Sequence, residues 1–332
     1  MQSCSPRQGD GDVALRKRWQ LRVLIGDDLR CAMSMSAYVV APLADDRHVV
    51  EAWAGYPLQF EGQRRFAWQD AMTAELKAAL AVITVSPGQS LAGTYTTTDP
   101  AQCDTENRLF TNPGASTFPK GITSICFERG IGEPPEPPTP ISLSTGYLHY
   151  YRYRSSGAFE WWEPAEVVAR WSRVPRHLAG DGSCRPVWLA LRQAAATGQI
   201  DVRGELPDAV PFGIRIVVHA TPQGPRSAPV ISETFVDGAI AAFHGPPPNP
   251  GLVADALASR LRGTSPRELE RLLSLRWAGN LIPRSPFNVT PTYVQVSPCD
   301  ERCLAGEVTI ARDSRSRAVE ISGELFSLRR KA

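Results

Sequence analysis

The sequence predicts an α/β or α+β fold, with antiparallel-leaning sheets, packed helices and two pseudo-repeated lobes. Three observations predict it. Short runs rich in β-branched and aromatic residues alternate with longer runs of helical periodicity. The composition, 42% hydrophobic against 21% charged, supplies enough apolar surface for a layered core. A Gly-x4-Phe-x-Gly spacing occurs twice, at Gly55–Phe60–Gly62 and Gly238–Phe243–Gly245, and a Cys-Asp pair follows each copy, Cys103-Asp104 and Cys299-Asp300.

Residues 1–34 mix charges with glycine and serine and read as a poorly ordered N-terminal extension with one short strand candidate, Leu21–Ile25. The first lobe spans 35–129. Ala37–Ala41 is a strand ended by Pro42, and Val49–Trp53 is a second. Phe66–Leu80 places residues 68, 72, 76, 79 and 80 on one helical face. Ser90–Thr97 and Ser124–Glu128 are strands. Residues 130–140, GIGEPPEPPTP, read as a semi-rigid linker between the lobes.

An aromatic-rich connecting region follows at 141–210. Tyr147–Arg154 is a strand, Trp161–Trp171 a strand or helix, and Pro186–Thr197 a helix with Gly198 near its C-cap. The second lobe spans 211–332. Phe212–Ala220 is a strand with Pro222 after it, as Pro42 follows the first strand. Leu252–Leu261 and Ser265–Leu275 are helices, the latter opened by Ser265 and Pro266.

Several function classes are disfavoured. No run of about 18 apolar residues exists to span a bilayer, and residues 1–18 have no apolar core of a secretory signal. Seven irregularly spaced cysteines suit reduced thiols, so the expected location is cytoplasmic. Cys299 and Cys303 form a single C-x3-C pair, too few ligands for a structural zinc. No P-loop or dinucleotide fingerprint is present. The net charge of +2 does not announce a polyanion partner. The five histidines are scattered, and His219 in an apolar strand reads as a core residue.

Chemistry concentrates in Asp104-Thr105-Glu106-Asn107, just beyond a strand. On extended backbone, side chains at i and i+2 point to one side. Asp104 and Glu106 are therefore candidate ligands for Mg²⁺, which accepts one or two carboxylates and keeps its waters. Asn107 is the candidate orienting residue. The same residues also suit an Asx turn. Asp300, Glu301 and Glu307 in the second lobe lack an Asn partner, which leaves one intact site or one composite site.

The strand, helix, strand and Asp-x-acid-Asn order over 37–112 resembles the RusA type of Holliday-junction resolvase. That resemblance implies magnesium at Asp104, Glu106 and Asn107, and a dimer acting on branched DNA. Glu106 stands where the family has aspartate, and the family's lysine-bearing helix is not evident after the motif. A second cluster carries binding potential. Tyr151 and Tyr153 share one face of a strand and Arg152 and Arg154 the other, a set suited to stacking bases and neutralising phosphates, with Arg108 as a further phosphate contact. A strand covered by aromatic residues has the same pattern. Two functions follow as expectations: a non-catalytic interaction or assembly subunit, nucleic-acid associated or within a protein complex, or a Mg-dependent nuclease or phosphodiesterase.

Overall fold

The computed structural model describes residues 35–332 except 43–47, 65, 102, 177–182, 208–209, 262, 276–280, 291–293, 299 and 315–316. The expected extension at 1–34, its Leu21–Ile25 strand, and Cys299 lie outside the described residues. The first seven strands are β1 (Tyr38–Pro42), β2 (Val49–Ala54), β3 (Ser90–Thr97), β4 (Ser124–Arg129), β5 (His149–Ser156), β6 (Trp162–Arg176) and β7 (Ile200–Val202). Five more follow: β8 (Phe212–Ala220), β9 (Phe287–Val289), β10 (Val294–Val296), β11 (Cys303–Arg312) and β12 (Val319–Arg330). The helices are α1 (Ala67–Leu80), α2 (Arg185–Ala196), α3 (Ala228–Ala242), α4 (Pro250–Ala258) and α5 (Pro266–Leu273).

Ten strands form one mixed, mostly antiparallel sheet in the order β1-β2-β5-β3-β4-β11-β8-β12-β6-β7. Among the described strands of this sheet, only β3–β4 and β8–β11 run parallel. Alternation along each strand sorts the side chains between the two faces. Tyr151, Tyr153, Phe127 and Ile216 join helix residues such as Met72, Leu76, Trp188 and Phe235 in the main core. Their neighbours Arg152, Arg154, Glu128 and Arg215 point to the opposite face. There Arg152 and Arg154 pair with Glu160 at 3.0 and 3.1 Å, and Arg215 pairs with Glu307 and Glu324 at 3.0 and 3.1 Å.

The Trp161–Trp171 ambiguity resolves as strand, because β6 pairs with β12 along most of its length. Residues 130–140 connect β4 to β5, and these strands flank β3 within one half of the sheet. The proline-rich segment therefore does not separate two bodies: residues 35–332 form one unit, and the Trp53 indole N–H donates to Pro135 O at 2.8 Å.

The Gly-x4-Phe-x-Gly steps occupy unlike structures. Gly55 follows β2, where a Cβ would lie 1.8 Å from Ser142 O. Gly238 lies inside α3, where a Cβ would lie 2.5 Å from Cys184 O and 2.6 Å from Val187 Cβ. One glycine admits a loop and the other lets α3 press on the start of α2. Their shared spacing is not a structural repeat. The two halves of the sheet nonetheless share a path. Outward from the central β4–β11 pair the order is β4-β3-β5-β2 on one side and β11-β8-β12-β6 on the other. On each side a parallel crossover joins the inner two strands, and the chain then returns antiparallel (β5 or β12) on the outer side of the pair.

Candidate metal centre

The site forms where the two crossovers meet. The chain leaves β3 at Thr97 and turns at Asp99-Pro100. Asp104 then caps a helical turn: its Oδ1 accepts from the Asn107 backbone N–H at 3.1 Å, and its backbone oxygen accepts from the Arg108 N–H at 3.2 Å. Asn107 Nδ2 also donates to Asp104 Oδ2. Residues Asn107–Thr111 continue as a wide π-type turn, a form that recurs at functional sites. The segment is helical, so the i, i+2 alignment expected for Asp104 and Glu106 on extended backbone does not occur.

The partners of Asp104 come from elsewhere. Helix α3 supplies Glu233 and Asp237, one turn apart. Asp300 opens the short turn Asp300–Arg302 that leads into β11. One carboxylate oxygen from each of Asp104, Asp237 and Asp300 lies within 4.8 Å of the other two. Asp104 and Asp300 share a proton, held on the Asp300 carboxyl and accepted by Asp104. The aspartates of the two Cys-Asp landmarks thus meet in one composite cluster. Asp237 Oδ1 is sealed from solvent and has no hydrogen-bond donor.

Burial and mutual repulsion dominate the electrostatics. Burial, then the charges of Asp104 and Asp237, pushes the Asp300 carboxyl up to about 10. Burial, then Asp104, Glu106 and Glu233, raises Asp237 well above the usual carboxylate range. Asp104, Glu106 and Glu233 are raised as well, with burial the leading cause in each. Three carboxylates this close stay ionised together only with a cation between them, and otherwise one of them takes up a proton.

Glu106 occupies a supporting place. It is 1% exposed and accepts from Ser232 Oγ on α3 and from Thr111 Oγ1 at 3.3 Å. It braces the crossovers against each other and is not one of the three clustered groups. The acids brought together with Asp104 are Asp237 and Asp300, and Glu106 is not among them. Asn107 lies beside Asp104 and donates to both of its carboxylate oxygens.

Of the other expected binding residues, Arg108 adjoins Asp104 through its backbone N–H, while Arg152 and Arg154 lie on the opposite face of the sheet. Tyr151 and Tyr153 are fully buried, donating to nothing at the surface: the Tyr151 hydroxyl accepts from the Leu58 N–H at 2.8 Å, and that of Tyr153 donates to Leu109 O at 2.7 Å. Neither ring is open to a base. Arg108 donates to Leu58 O at 3.0 Å, and Arg152 and Arg154 are engaged by Glu160 on the opposite face of the sheet. Glu307 pairs with Arg215, and Glu301 lies 3.7 Å from Arg284. His149 is a neutral core residue beside the Tyr95 hydroxyl, with burial lowering it to about 4.

Asp237 and Glu233 escaped the sequence reading because α3 did. Its Pro229 and Gly238 hide the helical period. The available signal was a pair of acids at i, i+4 in an otherwise apolar run, a like-charge pair that costs stability on an ordinary helix face.

A cavity of about 300 Å³ reaches the cluster, walled by Ser183, Cys184, Arg185, Glu233, Asp237 and Gln295 among others. The three clustered groups offer only oxygen, the donor set for Mg²⁺, Mn²⁺ or Ca²⁺ in preference to softer ions. Comparison with protein-family models, with characterised proteins and with solved structures finds no match. The site's chemistry must therefore be argued from its own residues.

Proposed function

We propose that this chain is a divalent-cation-dependent phosphoesterase, with Asp104, Asp237 and Asp300 as the protein ligands of the cation. The observation that carries the reading is the convergence of three carboxylates, from three separate segments, within 4.8 Å at the edge of a cavity. Buried carboxylates are ordinarily paired or coordinate metals. A cation held there supplies a Lewis acid and lowers the pKa of nearby water.

The chain's own residues do the rest. Asn107 fixes the orientation of Asp104 through two hydrogen bonds. Glu106, tied to Ser232 and Thr111, holds the π-type turn against α3. Glu233, on the cavity wall one turn before Asp237 on α3, is placed to take a proton, and burial raises its carboxyl, which favours the proton-holding form. In the reaction the oxygen of water forms a bond to phosphorus. The ester P–O bond breaks, the water proton passes to Glu233, and the departing alkoxide takes a proton from solvent.

Titration with Mn²⁺ tests the reading, followed by paramagnetic relaxation of water and by thermal unfolding. The expected result is one bound ion and a rise in Tm, both absent in Asp237→Asn, with ester hydrolysis lost in parallel. If the wild type neither binds nor is stabilised by Mn²⁺ or Mg²⁺, the phosphoesterase reading fails and the interaction-subunit expectation describes the chain better.

A further inference from the structure

The cavity beside the cluster does not end there. A second cavity, of about 610 Å³, shares the wall residues Arg185 and Val294 with it. The walls differ in character. Near the cluster they are polar, with Glu233, Asp237, Thr234 and Gln295. Beyond Arg185 the wall is mixed, setting Leu252, Ala256 and Leu257 of α4 and Val289 of β9 among Asp255, Ser259, Arg260 and Thr290. Leu252 is 52% exposed, a large apolar side chain not used by the core.

We infer that the substrate is a small phosphate ester carrying an apolar or aromatic group, and that it is not a polynucleotide. This rests on the phosphoesterase reading above. The phosphoryl group lies in the smaller cavity, between the carboxylate cluster and the Arg185 guanidinium, and the organic group lies in the larger one. Arg185 lies at the junction as a wall residue of both cavities, and its Nη2 donates to Val294 O at 3.4 Å. A guanidinium and a hard dication are complementary partners for one phosphate. The cavity sizes match those of small-molecule sites, which run to several hundred Å³.

The charge pattern argues against a polyanion. Nucleic-acid binding needs a row of lysines and arginines along the backbone track. Here the walls carry Glu233, Asp237 and Asp255 alongside Arg185 and Arg260. The arginines of β5 that would extend such a track lie on the other face of the sheet, paired with Glu160.

The test uses bis(p-nitrophenyl) phosphate, p-nitrophenyl phosphate and a 20-nucleotide single strand, each with Mn²⁺, on wild type, Arg185→Gln and Leu252→Asp. Leu252→Asp alters an exposed position, so folding is not at stake, and Mn²⁺ affinity is measured for every variant. The expected result is hydrolysis of a nitrophenyl ester and an intact oligonucleotide. Leu252→Asp raises KM about 10-fold, and Arg185→Gln lowers kcat/KM by about 30-fold or more, while both variants bind Mn²⁺ as wild type does. Absence of Mn²⁺ binding in the wild type removes the underlying reading. Mn²⁺ binding with cleavage of the oligonucleotide alone, or of neither probe, overturns the small-ester inference and leaves the metal centre standing. Ester hydrolysis that is indifferent to both substitutions overturns the assignment of the two cavities.

Discussion

The two parallel crossovers of the sheet solve the same topological problem at very different lengths. Between β3 and β4 the chain needs only residues 98–123, folded as tight turns. Between β8 and β11 it uses residues 221–302, with three helices and the small β9–β10 pair. The short crossover contributes Asp104 and its brace Glu106. The long one contributes Asp237 and Asp300, together with Glu233 and the walls of the larger cavity. The comparison teaches that the strands set where the acids meet, while the extra length on one side provides the room beside them.

The largest expected effect tests whether both crossovers are needed. Asp104→Asn and Asp237→Asn should each weaken Mn²⁺ binding by more than the roughly 10- to 100-fold typical of losing an outer-shell partner, read by calorimetric titration. Asn107→Ala should fall within that smaller range. A site that tolerates Asp104→Asn while failing with Asp237→Asn would belong to the long crossover alone.

In chelator, stability should fall as pH rises. The Asp300 carboxyl is raised from 3.8 to about 10 in the folded chain. A raised pKa contributes stability that is fully present below the unfolded value and is lost as pH climbs through the folded one. Urea unfolding at pH 6 and at pH 9 should show the drop, and added Mn²⁺ should restore the pH 9 value. A flat profile in chelator would mean the acids from the two crossovers are not in contact.

Gly238→Ala sharpens the role of the long crossover. The new methyl would meet Cys184 O and Val187 Cβ well inside contact distance. Overpacking of this kind costs about 1–3 kcal/mol. Hydrogen exchange should report loosening of α2 and α3, with β2 and β5 unchanged. The smallest effect belongs to the opposite face. Arg152→Ala removes a half-exposed partner of Glu160, and such pairs are worth at most about 1 kcal/mol. A loss of ester hydrolysis in that variant would move the functional surface to the wrong side of the sheet.

Much of the scaffold was legible. Ser90–Thr97 and Phe212–Ala220 coincide with β3 and β8, and α1, α2, α4 and α5 lie within two or three residues of their expected bounds. Periodicity and proline punctuation are local signals, and these elements obey them. The site was half legible. Asp104 and Asn107 stood out because they are close in sequence, and Asp300 was marked both in its Cys-Asp pair and as one acid of a group without an Asn, open to a composite site. Asp237 was invisible, since its relation to Asp104 is created by packing α3 on the π-type turn. The tyrosines misled for a related reason: β5 alternates as expected, but its aromatic side faces the helices.

The order of strands has a consequence for how the molecule is made. β11 and β12 follow every other described strand in sequence, yet they lie in the middle of the sheet, and β11 joins residues 124–128 to residues 305–309. During synthesis β4 and β8 therefore emerge long before the strand that pairs with both. Until then each exposes an open edge, the kind of surface that invites mispairing. Contacts of such sequence separation also form slowly. The carboxylate cluster, which needs Asp300, is therefore complete only after the long crossover has been made.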